Sequence, residues 1–446
     1  MNSMARRLYD ASPPPLQSFL VSLEGLRTYR RKYGKTFRDA MEALEKNERL
    51  SLADLEKMQS ARLQDLLTQA KATVPYYREH GGDPSDLSSW PILDKAVVAD
   101  APDRFLSEDR RFGRLYPQTS SGTTGTPLTI FCDSKAYQTE MAFRWRHRAW
   151  AGIAFGGRAA YVAGHPVIPR ARTQPPFWAL DRAENRMLFS SYHIGESTLP
   201  AYIAALERFQ PALLHGYPSS LYLLATFAAR AGSTIRPKAI ITASETLLAH
   251  QREAIETAFQ TKVFNWYGQT EMTCNVIECR EGGLHARPDY GVLEVTDNGA
   301  MVCTALNNPA MPLIRYRTGD RLKLGPGACG CGCAFPLVES IEGRVEDYII
   351  TPEGYYVGRL DHVFKGAEGV REAQIVQTDR GTVVLRIVKA DGYGPPMEAR
   401  LREAAVERLG TAMKIRFEYP QSIERSPSGK FRFIVSHVAG PERTPR

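Results

Sequence analysis

Five short segments carry side chains suited to phosphate, sugar hydroxyls or divalent cations. Thr119-Ser120-Ser121-Gly122-Thr123-Thr124-Gly125-Thr126-Pro127 joins two glycines to a run of hydroxyls. Glycine lets a backbone turn sharply against a ligand, and successive N–H groups can cradle an anion. The Gly-Lys-Ser/Thr ending of a Walker A loop is missing. Trp266-Tyr267-Gly268-Gln269-Thr270-Glu271 follows an apolar strand. A tyrosine there can stack on a base, and a glutamate can hold Mg²⁺ through hard oxygens. Tyr316-Arg317-Thr318-Gly319-Asp320 sets a carboxylate after a glycine turn, a geometry suited to ribose hydroxyls. Gly343-Arg344-Val345-Glu346-Asp347-Tyr348 lies at a change of composition. Ser426-Pro427-Ser428-Gly429-Lys430-Phe431-Arg432 puts a lysine after a flexible turn. Singly, these also read as a solvated loop, a strand-end turn, a β-turn and a surface lysine.

Sulfur forms a second group. Cys279 and His285 precede Cys329-Gly330-Cys331-Gly332-Cys333. Thiolate and neutral imidazole are good zinc ligands, and four of them close a structural site. The competing reading is free thiols and a surface histidine. Seven cysteines, an odd number, fit a disulfide framework poorly and a reducing compartment well.

The elements that must position these residues follow from periodicity. Residues 16–80 read as helical, with Leu52, Leu55, Met58, Leu63, Leu66 and Leu67 at helical spacing. From 135 to 350 helices alternate with strands such as Lys238–Thr242 and Val263–Trp266, which predicts an α/β architecture with a mostly parallel sheet. Residues 284–324 are richer in strands, with a hairpin around Asp297-Asn298-Gly299. After Gly343 a compact α+β unit follows. The expected fold is therefore α/β. A large N-terminal domain (1–345) holds layered α/β subdomains and a β-rich subdomain; a small mobile C-terminal domain (346–446) completes it.

Composition excludes other classes. The chain has 446 residues, enough for two or three domains, and 43% hydrophobic with 24% charged residues is a globular balance. No apolar run is long enough to predict a membrane span. Arg6 and Arg7 lead into Ala11-Ser12-Pro13-Pro14-Pro15 rather than an apolar stretch, which argues against a secretory signal and for a cytoplasmic protein. The net charge is +8, half of it in the first 50 residues. Without aromatic residues interleaved in a basic stripe, that charge suits anionic small molecules better than nucleic acid.

The order and spacing of the five segments resemble the adenylate-forming superfamily of acyl-CoA ligases, adenylation domains and luciferases. The likeness is greatest to the phenylacetate–CoA ligase branch, including its polysaccharide-cluster relatives. It covers residues 75 to 435. The resemblance implies that Ser120, Ser121, Gly122, Thr123, Thr124 and Gly125 form the phosphate loop for ATP. Ser244 and Glu245 would line the adenine pocket and Tyr267 would flank the base. Gly268 and Tyr217 would wall the acid, and Thr270 and Glu271 would hold phosphate and Mg²⁺. Asp320 would bind ribose, Arg344 the nucleotide, Glu346 would be the hinge, and Lys430 the catalytic lysine of adenylation. The branch's Cys…Gly-Leu-His and Cys-x-Cys-Gly pattern selects Cys279, His285, Cys329 and Cys331 as zinc ligands, with Cys333 a spare or a substitute. Two departures stand out: Thr126 replaces a common lysine, and Glu346 a commoner aspartate.

The implied chemistry is consistent with the residues. A carboxylate is a poor electrophile; joined to AMP it gains a leaving group. Donors, Mg²⁺ and one lysine would stabilise the charge spread over phosphate. The expected partners are a small-molecule carboxylic acid, ATP, and coenzyme A as acceptor. An aryl or arylacetic acid is the expected substrate. The alternatives are an amide or ester synthetase that uses an amine or hydroxyl, and a catalytically silent zinc-containing binding protein.

Overall fold

The computed structural model describes residues 3–119, 128–342, 348–358, 360–364, 367, 369–423 and 433–438. The helical stretch expected at 16–80 divides at its turn residues. Helix α1 (Ser3–Ala11) precedes α2 (Pro14–Lys32), which opens on prolines whose fixed φ suits a first helical turn. Gly34 separates α2 from α3 (Lys35–Asn47). Ser51 caps α4 (Leu52–Thr73) by accepting the Asp54 N–H at 3.2 Å. Val74-Pro75 ends α4 and starts α5 (Pro75–His80), and α6 (Lys95–Asp100) follows.

These N-terminal helices cover the core. Arg62 of α4 donates to the Asp289 carbonyl (2.6 Å) and to Asn307 Oδ1 (2.8 Å). Phe37 and Leu44 of α3 join a buried cluster with Phe143, Trp145, Tyr161 and Ile241.

Strands β1 (Tyr116–Thr119) and β2 (Thr129–Cys132) pair antiparallel on either side of residues 120–127. After α7 (Ser134–Trp150) come β3 (Ala159–Ala163), β4 (Trp178–Asp181) and β5 (Arg186–Ser190). Then α8 (Leu199–Phe209), β6 (Leu213–Gly216), α9 (Pro218–Arg230), β7 (Ala239–Ala243), α10 (Ala249–Phe259) and β8 (Val263–Gly268) alternate. Strands β5, β3, β6, β7 and β8 lie parallel in that spatial order, and β4 closes the edge antiparallel. Their apolar faces, among them Leu214 and Ile240, pack on Leu221, Leu224 and Phe259 of the helices.

The strand-rich stretch is joined to this sheet. Strand β9 (Asn275–Glu278) pairs antiparallel with β8, Gly268 opposite Asn275. Strands β10 (Leu284–Ala286), β11 (Gly291–Val295), β12 (Ala300–Ala305), β13 (Tyr316–Leu324) and β14 (Leu337–Glu342) extend it to twelve strands. The β11–β12 hairpin turns at Gly299 with φ 82°, as its Asp-Asn-Gly sequence predicts.

Strands β15 (Ile349–Ile350) and β16 (Tyr356–Val357) lead into β17 (Val370–Asp379), β18 (Thr382–Lys389), α11 (Pro395–Leu409), β19 (Lys414–Glu418) and β20 (Ile434–Ser436). The last four strands make a separate sheet, packed on α11 through Ile375, Leu385, Ile387, Leu401, Ala405 and Leu409. This unit meets the larger one at Tyr356 N–H, which donates to the Ile194 carbonyl (2.9 Å). Arg170 Nε likewise donates to the Arg408 carbonyl (2.8 Å).

Candidate active site and metal centre

The parallel strands β3, β6, β7 and β8 end at Ala163, Gly216, Ala243 and Gly268, along one edge of the sheet. Ligands bind at such carboxyl ends. Tyr217, Ser244, Glu245, Tyr267, Gly268, Thr270 and Glu271 all lie at or just beyond them. Ser244 has φ 73°, a left-handed conformation that a non-glycine residue adopts only under tertiary constraint. Glu245 Oε2 accepts the Ser219 N–H at 3.0 Å, tying the exit of β7 to the first turn of α9. Gly268 is exposed, and a Cβ there would stand 2.7 Å from Trp266 Nε1.

Asp320 reaches this edge from β13. Tyr267 Oη donates to Asp320 Oδ2 at 2.8 Å and accepts from Gln269 Nε2 at 2.5 Å. Burial and the Asp320 carboxylate push the Tyr267 phenol well above its ordinary pKa, so it stays protonated and donates. Tyr316 Oη, also on β13, donates to Glu271 Oε1 at 3.4 Å. The antiparallel wing thus brings a second carboxylate beside the strand ends. Two carboxylates with the Ser244 and Thr270 hydroxyls can hold sugar hydroxyls, phosphate and a hard divalent cation. Ser120, Ser121, Gly122, Thr123, Thr124, Gly125, Arg344, Glu346 and Lys430 lie outside the described residues.

The sequence places the acid's pocket near His215–Ser219, but the arginines of α7 beside it escaped sequence reasoning. Tyr137, Met141, Arg144 and Arg148 share one face of α7. The Arg144 side chain is 51% exposed although Phe143 and Trp145 beside it are buried, so this face borders an opening. The Arg148 guanidinium lies 4.5 Å over the Trp145 ring and 5.7 Å over Tyr161. It makes no hydrogen bond or ion pair among the described residues. Across from it, His215 of β6 packs against Tyr161 with ring centroids 5.0 Å apart. Burial, then Arg148 and Arg144, push the His215 imidazole well below its ordinary pKa. Its Nδ1 is buried without a partner. A bare acceptor costs less than a bare donor, so the proton belongs on Nε2. The signal was available: a histidine interrupts the apolar strand Leu213-Leu214-His215 two residues before Tyr217.

Cys279, His285, Cys329 and Cys331 converge, their ligand atoms all within 4.8 Å of one another. Cys279 Sγ is 3.6 Å from Cys329 Sγ, and Cys331 Sγ is 3.4 Å from His285 Nε2. Tetrahedral zinc, with Zn–S about 2.3 Å and Zn–N about 2.0 Å, requires roughly 3.8 Å and roughly 3.5 Å. His285 Nδ1 lies 3.0 Å from the Phe335 carbonyl. Donating there leaves the Nε2 lone pair facing the sulfurs, the usual outer support of a metal-binding histidine. Cys333 stands outside the group. The residues fit a closed zinc site. It lies at the far end of β9 from the Gly268–Asn275 pair, and so away from the strand-end edge.

Residues 349–437 match the family model described as the CapK C-terminal domain. Protein CapK of Staphylococcus aureus is 23% identical over 98% of this chain and 100% of its own length. A phenylacetate–coenzyme A ligase of Thermus thermophilus is 25% identical over 87% of this chain and 98% of its own. A solved 2-hydroxyisobutyryl-CoA ligase, in complex with 2-HIB-AMP and CoA, superposes with TM-score 0.55 at 20% identity. That match covers 88% of this chain and 91% of the other. The chain is similar to CapK and to the phenylacetate–CoA ligases over most of its length, and it shares the fold of the 2-hydroxyisobutyryl-CoA ligase. In this chain the N-terminal helices pack over the core, and the large sheet runs unbroken from the metal-ligand strands to β4.

Proposed function

We propose that this chain is an ATP- and Mg²⁺-dependent ligase that joins a carboxylic acid to AMP, releases pyrophosphate, and passes the acyl group to coenzyme A. The observation that carries the reading is the Tyr267–Asp320 hydrogen bond at the edge where four parallel strands end. It sets an acceptor for ribose beside Ser244, Thr270 and Glu271. The names of the homologues support coenzyme A as acceptor.

In this reading residues 120–125 bind the phosphates, and Thr270 and Glu271 hold phosphate and Mg²⁺. Arg344 contacts the nucleotide, and Lys430 neutralises charge on the phosphates during adenylation. The domain after the hinge at Glu346 carries Lys430 in and out, so a second nucleophile can enter once acyl-AMP has formed. The acid enters past Tyr217 with its tail between α7 and the sheet. Tyr137 and Tyr161 suit an aryl or arylacetic acid, and Arg148 with His215 suits one bearing an acceptor at its far end. Cys279, His285, Cys329 and Cys331 hold zinc that fastens β9, β10 and the segment before β14 and takes no part in catalysis.

The test is AMP release from ATP across a carboxylic-acid panel, with coenzyme A or amines added separately. AMP release that needs coenzyme A and one aromatic acid is the expected result. No acid-dependent ATP–pyrophosphate exchange would refute the reading.

A further inference from the structure

Helix α2 is turned inside out. Leu16, Phe19, Leu23 and Leu26 are 43%, 61%, 54% and 59% exposed. Spacings of three, four and three residues put them on one side of the helix. The side facing the protein is mostly small or polar, with Val21 packed on a buried cluster. Ser18 Oγ accepts the Leu180 N–H (3.2 Å), and Ser22 Oγ accepts the Arg182 N–H (3.0 Å). A Cβ on Gly25 would stand 2.2 Å from Asp181 Oδ1. The helix therefore docks on the edge strand β4 through its polar face and holds its apolar face outward. A surface helix ordinarily does the reverse. Helix α1 adds Met4 and Leu8, 73% and 65% exposed. An apolar surface of this kind marks an interaction.

Charge selects the partner. Arg7, Arg27 and Arg30 are exposed on the same two helices. Beside Ser22, Arg182 joins Arg158 and Arg208 around a cavity of about 360 Å³ that includes Leu180 and Asp181 of β4. The acidic residues of α1 and α2 are few and engaged: Asp10 pairs with Arg6 at 3.0 Å and Glu24 with Arg27 at 3.3 Å. A second copy seated on this face would bring arginine against arginine, whereas a surface of lipid phosphates would neutralise them. We propose that α1 and α2 dock this protein on an anionic lipid bilayer, with the leucines and Phe19 in the acyl boundary and the arginines among the headgroups. The attachment is peripheral: among the described residues no helix is long and apolar enough to cross a membrane.

The test is flotation of the full chain with vesicles of phosphatidylcholine alone or with added phosphatidylglycerol. The expected result is binding to the anionic vesicles only. Phe19→Glu with Leu23→Glu should lower partitioning on the order of tenfold or more. Circular dichroism and the thermal midpoint should stay unchanged, because both side chains already face solvent. Arg27→Glu with Arg30→Glu should also weaken binding. Absence of flotation, or equal flotation on both vesicles, overturns the proposal. So does a dimer in sedimentation equilibrium that the Phe19→Glu, Leu23→Glu variant dissociates, which would assign the face to a second copy.

Discussion

Removing zinc should weaken the fold and leave adenylation intact. The Cys279–Cys329 and Cys331–His285 pairs already stand within about 0.2 Å of tetrahedral spacing, and all four ligand atoms lie within 4.8 Å of one another, so binding needs little rearrangement. A site that binds only the folded chain stabilises it by about 4 kcal/mol when free zinc is a thousand times the dissociation constant. For a large domain that is roughly 5–10 °C in the thermal midpoint. Cys279 lies four strand positions beyond Asn275, about 13 Å along β9 at ~3.3 Å per residue. At 25 °C the ATP–pyrophosphate exchange rate should therefore change less than twofold. The assay is scanning calorimetry with metal analysis on the wild type, on Cys331→Ser and on Cys333→Ser. Wild type should carry one equivalent of zinc, Cys331→Ser should lose both metal and midpoint, and Cys333→Ser should lose neither. Zinc under half an equivalent, or equal losses from the two serine variants, would refute the reasoning.

Four further outcomes are expected. Tyr267→Phe removes the donor 2.8 Å from Asp320 and should raise the KM for ATP by about tenfold or more, read by steady-state AMP release. Lys430→Ala should abolish acyl-AMP formation while sparing thioester formation from preformed acyl-AMP; unchanged exchange would sink its assignment. Arg148→Met should raise the KM for an acceptor-bearing acid about tenfold and leave the KM for ATP alone; equal changes in both would exclude it from the acid's end of the site. Stability should fall with acid. Burial depresses His147 and His193 to about 3 from 6.5, so the unfolded chain binds more protons between those values. Stability is full above pH 6.5 and declines below it, by about 3 kcal/mol for the pair at pH 5.5. Urea midpoints from pH 7.5 to 5.5 measure this, and a flat profile would contradict it.

The sequence made local structure readable wherever one physical signal dominated. The strands of β7 and β8 and helix α10 announced themselves by apolar runs and period, and the β11–β12 hairpin by Asp-Asn-Gly. The four metal-ligand candidates were readable because soft ligands are scarce, although their convergence depends on β9, β10 and the segment before β14 being neighbours, which spacing alone does not dictate. Long-range pairing was harder. No local pattern shows that β9 takes its place beside β8 and fuses the wing to the parallel sheet. Yet that pairing carries Tyr316 and Asp320 to Glu271 and Tyr267.

The outward orientation of helix α2 went unread for a different reason. Amphipathic period identifies a helix and its apolar face, and the usual inference turns that face inward. Here the edge of β4 presents backbone groups and the Asp181 carboxylate, which small hydroxyl residues and Gly25 satisfy better than leucine can. Polar complementarity at a sheet edge therefore outranks apolar burial, and the leucines are left outside. The same logic separates His215 from an ordinary core histidine. A buried nitrogen without a hydrogen-bond partner, on a ring packed against the same Tyr161 that the Arg148 guanidinium covers, is costly in a closed core but useful where a bound molecule completes the bonds.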